Sequence, residues 1–134
     1  VGVADHEHVL LLPENPDKSA ADLRSRIQDA TGAQIGVQII DSHGRAWRLG
    51  TVGISIGFAG LPGVVNLRGQ PDMFGRRLEV SEVGVADELA AAASLMMGQA
   101  AEGTPVVHVR GFPYPMRQGS LSEMIRPKAE DLFR

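Results

Sequence analysis

Asp41-Ser-His-Gly-Arg45-Ala-Trp-Arg48 gathers one carboxylate and two guanidiniums beside an apolar, β-branched run. A carboxylate gives a divalent cation hard oxygen ligands, and guanidiniums offer forked donors to phosphate oxygens, so the cluster suits metal–phosphate chemistry. The same residues also read as a strand followed by an Asx-type turn, with Asp41 bonding its own backbone and Arg45 and Arg48 in solvent. A second acidic feature, Asp87-Glu88, stands near the head of an alanine-rich stretch. Adjacent helical positions diverge by about 100°, so this pair suits two neighbouring cations better than one. Acids in a first helical turn also face the macrodipole favourably without any metal. The four histidines form no metal box: His6 and His8 alternate along the leading segment, His43 sits in the expected turn, and His108 lies in an apolar run and is expected in the core. No phosphate loop, nucleophile elbow or dinucleotide fingerprint occurs, and no side chain is assigned as a covalent catalyst.

The elements that must position these residues follow from periodicity and punctuation. Val9–Leu12 reads as a brief strand ended by Pro13. Ser19 is expected to cap a helix that buries Leu23 and Ile27, turns Arg24, Arg26 and Gln28 outward, and stops at Gly32. Gln34–Ile40 reads as a buried strand ending at the Asp41 cluster, and the glycine-dense 48–59 segment as strand closely approached by another backbone or by ligand. Leu61–Leu78, with Pro62, Gly63, Gly69, Pro71 and Gly75, is an extended connection with turns. From about Glu82 to Ala101, Val85, Leu89, Ala92 and Met96 recur at helical spacing and are expected to face the core. Val106–Val109 follows as a short strand, and Ser122–Arg134 as a short helix interrupted before Pro127.

A chain of 134 residues supports one modest core, so positions 1–134 are read as a single unit. Its formal charge of −3 lacks the basic excess of a nucleic-acid binder. With no cysteine there is no thiolate site or disulfide, and no long apolar run or leader points to a membrane or export, so a cytoplasmic protein is expected. Six aromatic side chains leave little material for stacking on bases or sugars. The opening at Val1, on an apolar segment, reads as a cut rather than a natural start.

Taken in order, Leu10-Leu-Leu-Pro-Glu-Asn-Pro-Asp17-Lys-Ser-Ala20, Asp41 to Arg48, Ile54-Ser-Ile-Gly-Phe-Ala-Gly60, Pro71-Asp-Met-Phe-Gly-Arg76, Val85-Ala-Asp-Glu-Leu-Ala90, Met97-Gly-Gln99, Pro105 to Gly111 and Ile125 to Arg134 resemble the coenzyme F420-0:L-glutamate ligase family over nearly the whole chain. The resemblance implies an α+β fold, with a mixed sheet and packed helices, in an intertwined homodimer. It further implies a ligase that uses GTP and a divalent metal, magnesium or manganese, to join L-glutamate to the deazaflavin coenzyme F420-0 through an amide. It carries metal binding onto Asp41, Asp87 and Glu88, and nucleotide binding onto Gly44, Arg45, Arg48 and Arg126. The chain corresponds to the family's C-terminal half. The N-terminal half is expected from a complementing piece, or else the protein is a non-catalytic homologue that keeps the fold. Val3-Ala-Asp-His-Glu-His8 also departs from the Asp-x-Ser-Asn-like run usual there. Within the fold, Asp41 is expected to meet Asp87 and Glu88 in an oxygen-only cluster with Arg45 or Arg48 nearby.

Overall fold

Asn15 and Pro16 start the first helix. The Asn15 side chain accepts the Lys18 N–H at 2.9 Å, and Pro16 takes the first helical position, where a missing N–H costs nothing. In the computed structural model, which describes residues 10–132, this helix, α1, runs Pro16–Thr31 and closes at Gly32 with φ 71°. The cap is therefore Asn15 rather than Ser19. Val9 lies outside the described residues, and Leu10–Leu12 form no strand and stand exposed.

Strands β1 (Val37–Arg45) and β2 (Arg48–Ala59) form an antiparallel hairpin joined at Ala46-Trp47. Trp47, 91% exposed at the tip, takes a left-handed φ of 59°, uncommon for a bulky residue. The register slips twice. Between the pairs Ile39↔Gly57 and Ile40↔Ser55 it leaves Ile56 as an extra residue, and between Gly44↔Thr51 and Arg45↔Arg48 it leaves Leu49 and Gly50. A long arm follows. Strands β3 (Val65–Asn66) and β4 (Glu82–Val83) pair antiparallel at its base, and Asp72 closes its far turn by accepting the Phe74 and Arg76 N–H groups. The described sheet structure is thus two separate antiparallel pairs, not the expected mixed sheet.

Helix α2 spans Val85–Met97, shorter than expected because β4 takes Glu82 and Val83 and Gly98, with φ 75°, ends the helix. Both helices pack on β2, whose buried positions Gly53, Ser55 and Gly57 are small. A Cβ on Gly53 would lie 2.5 Å from Ser94 Cβ and 2.6 Å from the Ala90 carbonyl oxygen; one on Gly57 would lie 2.4 Å from Pro16 Cβ. These glycines let helix backbones abut a strand backbone.

Small residues also form the inner faces of the helices. Ala20, Ala86 and Ala90 are fully buried, while Leu23 and Ile27 of α1 and Leu95 and Met96 of α2 are exposed. Arg24 turns inward to donate to the Ile35 carbonyl at 2.7 Å. The expected faces are therefore corrected in part: Val85 is buried and Leu89 half-buried as expected, whereas Leu23, Ile27, Ala92 and Met96 turn outward and small residues line the contact with β2. Large side chains pack instead where β2 runs out, around Phe58, Leu61 and Ala86 with Met124 against them.

The remaining chain is mostly irregular. Val106–Val109 forms no strand and His108 is exposed, so neither expectation holds. The tail makes two 3-10 turns, Leu121–Glu123 and Lys128–Glu130, in place of a helix broken at Pro127. Among the described residues no helix is long and apolar enough to cross a membrane.

Gly53→Ala is expected to lose about 1–3 kcal/mol through overpacking against α2. Ala92→Ser, on the exposed side of that helix, should stay within about 0.5 kcal/mol of the parent. Equal midpoints for the two variants in denaturant titrations would reject the small-residue packing.

Candidate functional site

The head of α2 is tied to three parts of the chain. The Gln38 side chain of β1 donates to the Ala86 carbonyl at 2.7 Å, the Ala86 N–H donates to the Gly63 carbonyl at 3.2 Å, and Asp87 Oδ1 accepts the Ser55 N–H at 2.9 Å. The last bond falls at the Ile56 bulge, where a disrupted ladder leaves strand amides in need of other acceptors. Asp17, in the first turn of α1, makes the matching bond two residues beyond the bulge: its Oδ1 accepts the Phe58 N–H at 2.9 Å, and both its oxygens accept the Leu121 N–H at 3.1 Å.

Asp41 sits within β1 rather than at its end, opposite Ile54 and one ladder position from the Ile40↔Ser55 pair. Side chains alternate along a strand, so Asp41 shares a face with Ile54, and Ser55 points to the other face. The Asp41 Oδ1 accepts the adjacent Ser42 N–H at 2.8 Å and the residue is exposed. That local bond is the one the Asx alternative anticipates, although here it occurs in a strand. Glu88 is exposed, one helical position from Asp87. Gly44 pairs with Thr51, and Arg45 with Arg48 at the hairpin tip, all exposed. Arg45 lies four positions along β1 from Asp41, a backbone separation of roughly 13 Å, so within one chain the arginines do not stand beside the acids. Arg126 lies between the two tail turns, also exposed.

Among the described residues no three His, Asp or Glu side chains converge where a metal ion could be held. The donor chemistry still suits a hard cation. Asp87 has one oxygen fixed by a backbone donor, and partners of this kind are what orient a carboxylate toward a cation. A cavity of about 240 Å³ lies at the other end of α2, against Thr51, Gly53, Ser94 and Gln99, and has no charged side chain in its lining.

Asp17, Gln38 and Ser55 were not identified from the sequence as organising residues. The one available signal was that each helix carries an acid in its first turn, which macrodipole complementarity already accounts for. The strand bulge that gives these acids their backbone partners has no sequence signature of its own.

Behind this region the tail is pinned by Arg117, whose two terminal nitrogens each reach Glu123 at 2.7 Å, while Glu123 Oε2 also accepts the Gly63 N–H at 3.2 Å. The Arg117 hydrogen bonds, then the Gly63 amide, hold the Glu123 carboxyl below its usual 4.5, against the opposing effect of burial.

Residues 2–111 match the family described as F420-0:Gamma-glutamyl ligase. The chain is 50% identical over 123 residues to the coenzyme F420:L-glutamate ligase of Methanococcus maripaludis strain C6, covering 92% of this chain and 50% of that protein. It is 46% identical over 129 residues to the protein of the same name from Methanocaldococcus jannaschii, covering 96% and 52%. The Archaeoglobus fulgidus counterpart is 44% identical over 126 residues, covering 94% and 50%. The chain spans about half the length of these curated relatives.

Because the Glu123 pKa is lowered on folding, its stabilisation is present above the ordinary carboxylate value and is lost as pH falls through the depressed one. Glu123→Gln should therefore be less stable than the parent at neutral pH, with the gap narrowing as pH drops below about 4. Denaturant melts at a series of pH values check this, and a gap independent of pH would contradict it.

Proposed function

Since the chain belongs to the F420-0:γ-glutamyl ligase family, we propose that it forms the C-terminal half of a cytoplasmic, GTP-dependent ligase that joins L-glutamate to coenzyme F420-0. The reaction transfers the γ-phosphoryl group of GTP to a substrate carboxylate, releasing GDP. The glutamate amine then attacks the acyl carbon, forming the amide and expelling phosphate. The observation that carries this reading is the extended identity to ligases of that name.

Asp41, Asp87 and Glu88 would hold a divalent cation, magnesium or manganese, with donors supplied by a second copy or a complementing half. When bound, such a cation offsets phosphate charge. The Gly44 backbone and the guanidiniums of Arg45, Arg48 and Arg126 would bind and orient the nucleotide phosphates. The distance between the hairpin tip and the acids favours assembly with a further chain. So do the exposed Leu23, Ile27, Leu95 and Met96, which make a homodimer or a two-piece ligase the proposed working form. The half-length match is also what favours the alternative, a homologue that keeps the fold and binds without catalysing.

The test is to incubate the full natural chain, with any complementing piece, with F420-0, GTP, glutamate and manganese, and follow product mass. Addition of one glutamyl residue with GDP release is expected, and Asp87→Asn should lower the rate by about 10²-fold or more. GDP-independent product, or no product from the complete assembly, would contradict the ligase assignment.

A further inference from the structure

The tip of the hairpin combines features that the turn itself does not call for. Trp47 takes a φ of 59°, a left-handed conformation that a two-residue hairpin turn normally gives to glycine, asparagine or aspartate and that is an outlier for a bulky side chain. Its indole is 91% exposed, where core packing asks for no aromatic ring. Arg45 and Arg48 stand opposite each other across the two strands, and like charges in that relation destabilise a ribbon. Among the described residues neither arginine has an ion pair. Backbone strain of this kind gathers at ligand clamps and active sites.

The spacing suits one small ligand. Cross-strand partners have Cα atoms about 4.5–5.5 Å apart, and the Cα of Trp47 is about 3.8 Å from that of Arg48. Two guanidiniums rooted this close can converge on one phosphate group, with forked donors that match its oxygens. The neighbouring indole offers a flat face on which a heteroaromatic ring can stack. Without an anion the tip leaves two cations opposed, and without a ring it leaves an indole in water. A single molecule carrying both groups relieves both costs.

We propose that Trp47 is a binding residue for a phosphorylated planar heterocycle: its indole stacks on the ring while Arg45 and Arg48 hold the phosphate. The inference rests on the ligase reading above, which supplies two ligands of this chemistry, GTP and the deazaflavin F420-0 with its phosphate-bearing side chain. That reading gives Arg45 and Arg48 to the nucleotide, so GTP is the expected occupant.

The experiment measures binding of GTP and of F420-0 by calorimetry to the full natural chain, with any complementing piece, and to its Trp47→Gly and Trp47→Phe variants. Thermal melts of the unliganded proteins accompany it, and the Trp47 contribution to fluorescence, parent minus Trp47→Phe, is followed in the same titrations. Trp47→Gly is expected to bind about 5–150-fold more weakly, the loss that truncating a stacking side chain produces. It should melt close to the parent, because glycine adopts this φ without strain. Trp47→Phe, which keeps a flat ring, should retain most of the affinity, and the Trp47 emission should be quenched at saturation. A loss confined to GTP assigns the guanine to the tip, and one confined to F420-0 assigns the deazaflavin. Unchanged affinity of Trp47→Gly for the ligands that the parent binds, or Trp47 emission unmoved by them, would overturn the role of Trp47 and leave the ligase reading standing. Failure of the parent assembly to bind either ligand would overturn that reading and this inference together. A Trp47→Gly protein that melts well below the parent would also overturn the inference, by showing that the indole is structural.

Discussion

Two carboxylates holding two strand amides organise this fold. A two-stranded ribbon leaves backbone donors unpaired, and an unpaired donor cannot be buried cheaply. In β2 these donors are met from the helices: Asp87 accepts from Ser55 and Asp17 accepts from Phe58, on either side of the Ile56 bulge. Each acid lies in the first turn of its helix, so one bond satisfies a strand amide, places charge favourably against the helix dipole and sets where the helix meets the strand. Glycine and alanine at the contacts let the backbones come close enough for these bonds to form.

The same closeness turns the larger side chains outward. Leu23, Ile27, Leu95 and Met96 cannot fit between helix and strand at that separation, and they project from the opposite helix faces. The protein therefore has a small core at the end of β2 and apolar surface elsewhere.

Much of the local architecture was legible in the sequence. Gly32 ended the first helix, the β-branched run at Ile35–Ile40 marked the first strand of the hairpin, and alanine density located the second helix. Orientation was less legible. Hydrophobic periodicity assumes that the largest apolar residues face the core, and it fails when close packing selects alanine and glycine instead. The strand extended through Asp41 to Arg45 because cross-strand pairing with 48–54 outweighed the turn tendency of Asp-Ser-His-Gly. Family resemblance rather than spacing singled out Asp41, Asp87 and Glu88, whereas Ser55 and Gln38, whose bonds fix the head of α2, become recognisable only once the bulge is seen.

Amide hydrogen exchange at Ser55 and Phe58 tests the central claim most directly. In the parent both amides should exchange slowly. Asp87→Ala should accelerate Ser55 while Phe58 remains protected, and Asp17→Ala should do the reverse, because each carboxylate serves its own amide. Protection of both amides that survives both substitutions would contradict the account, since some other interaction would then be holding the helices to the strand.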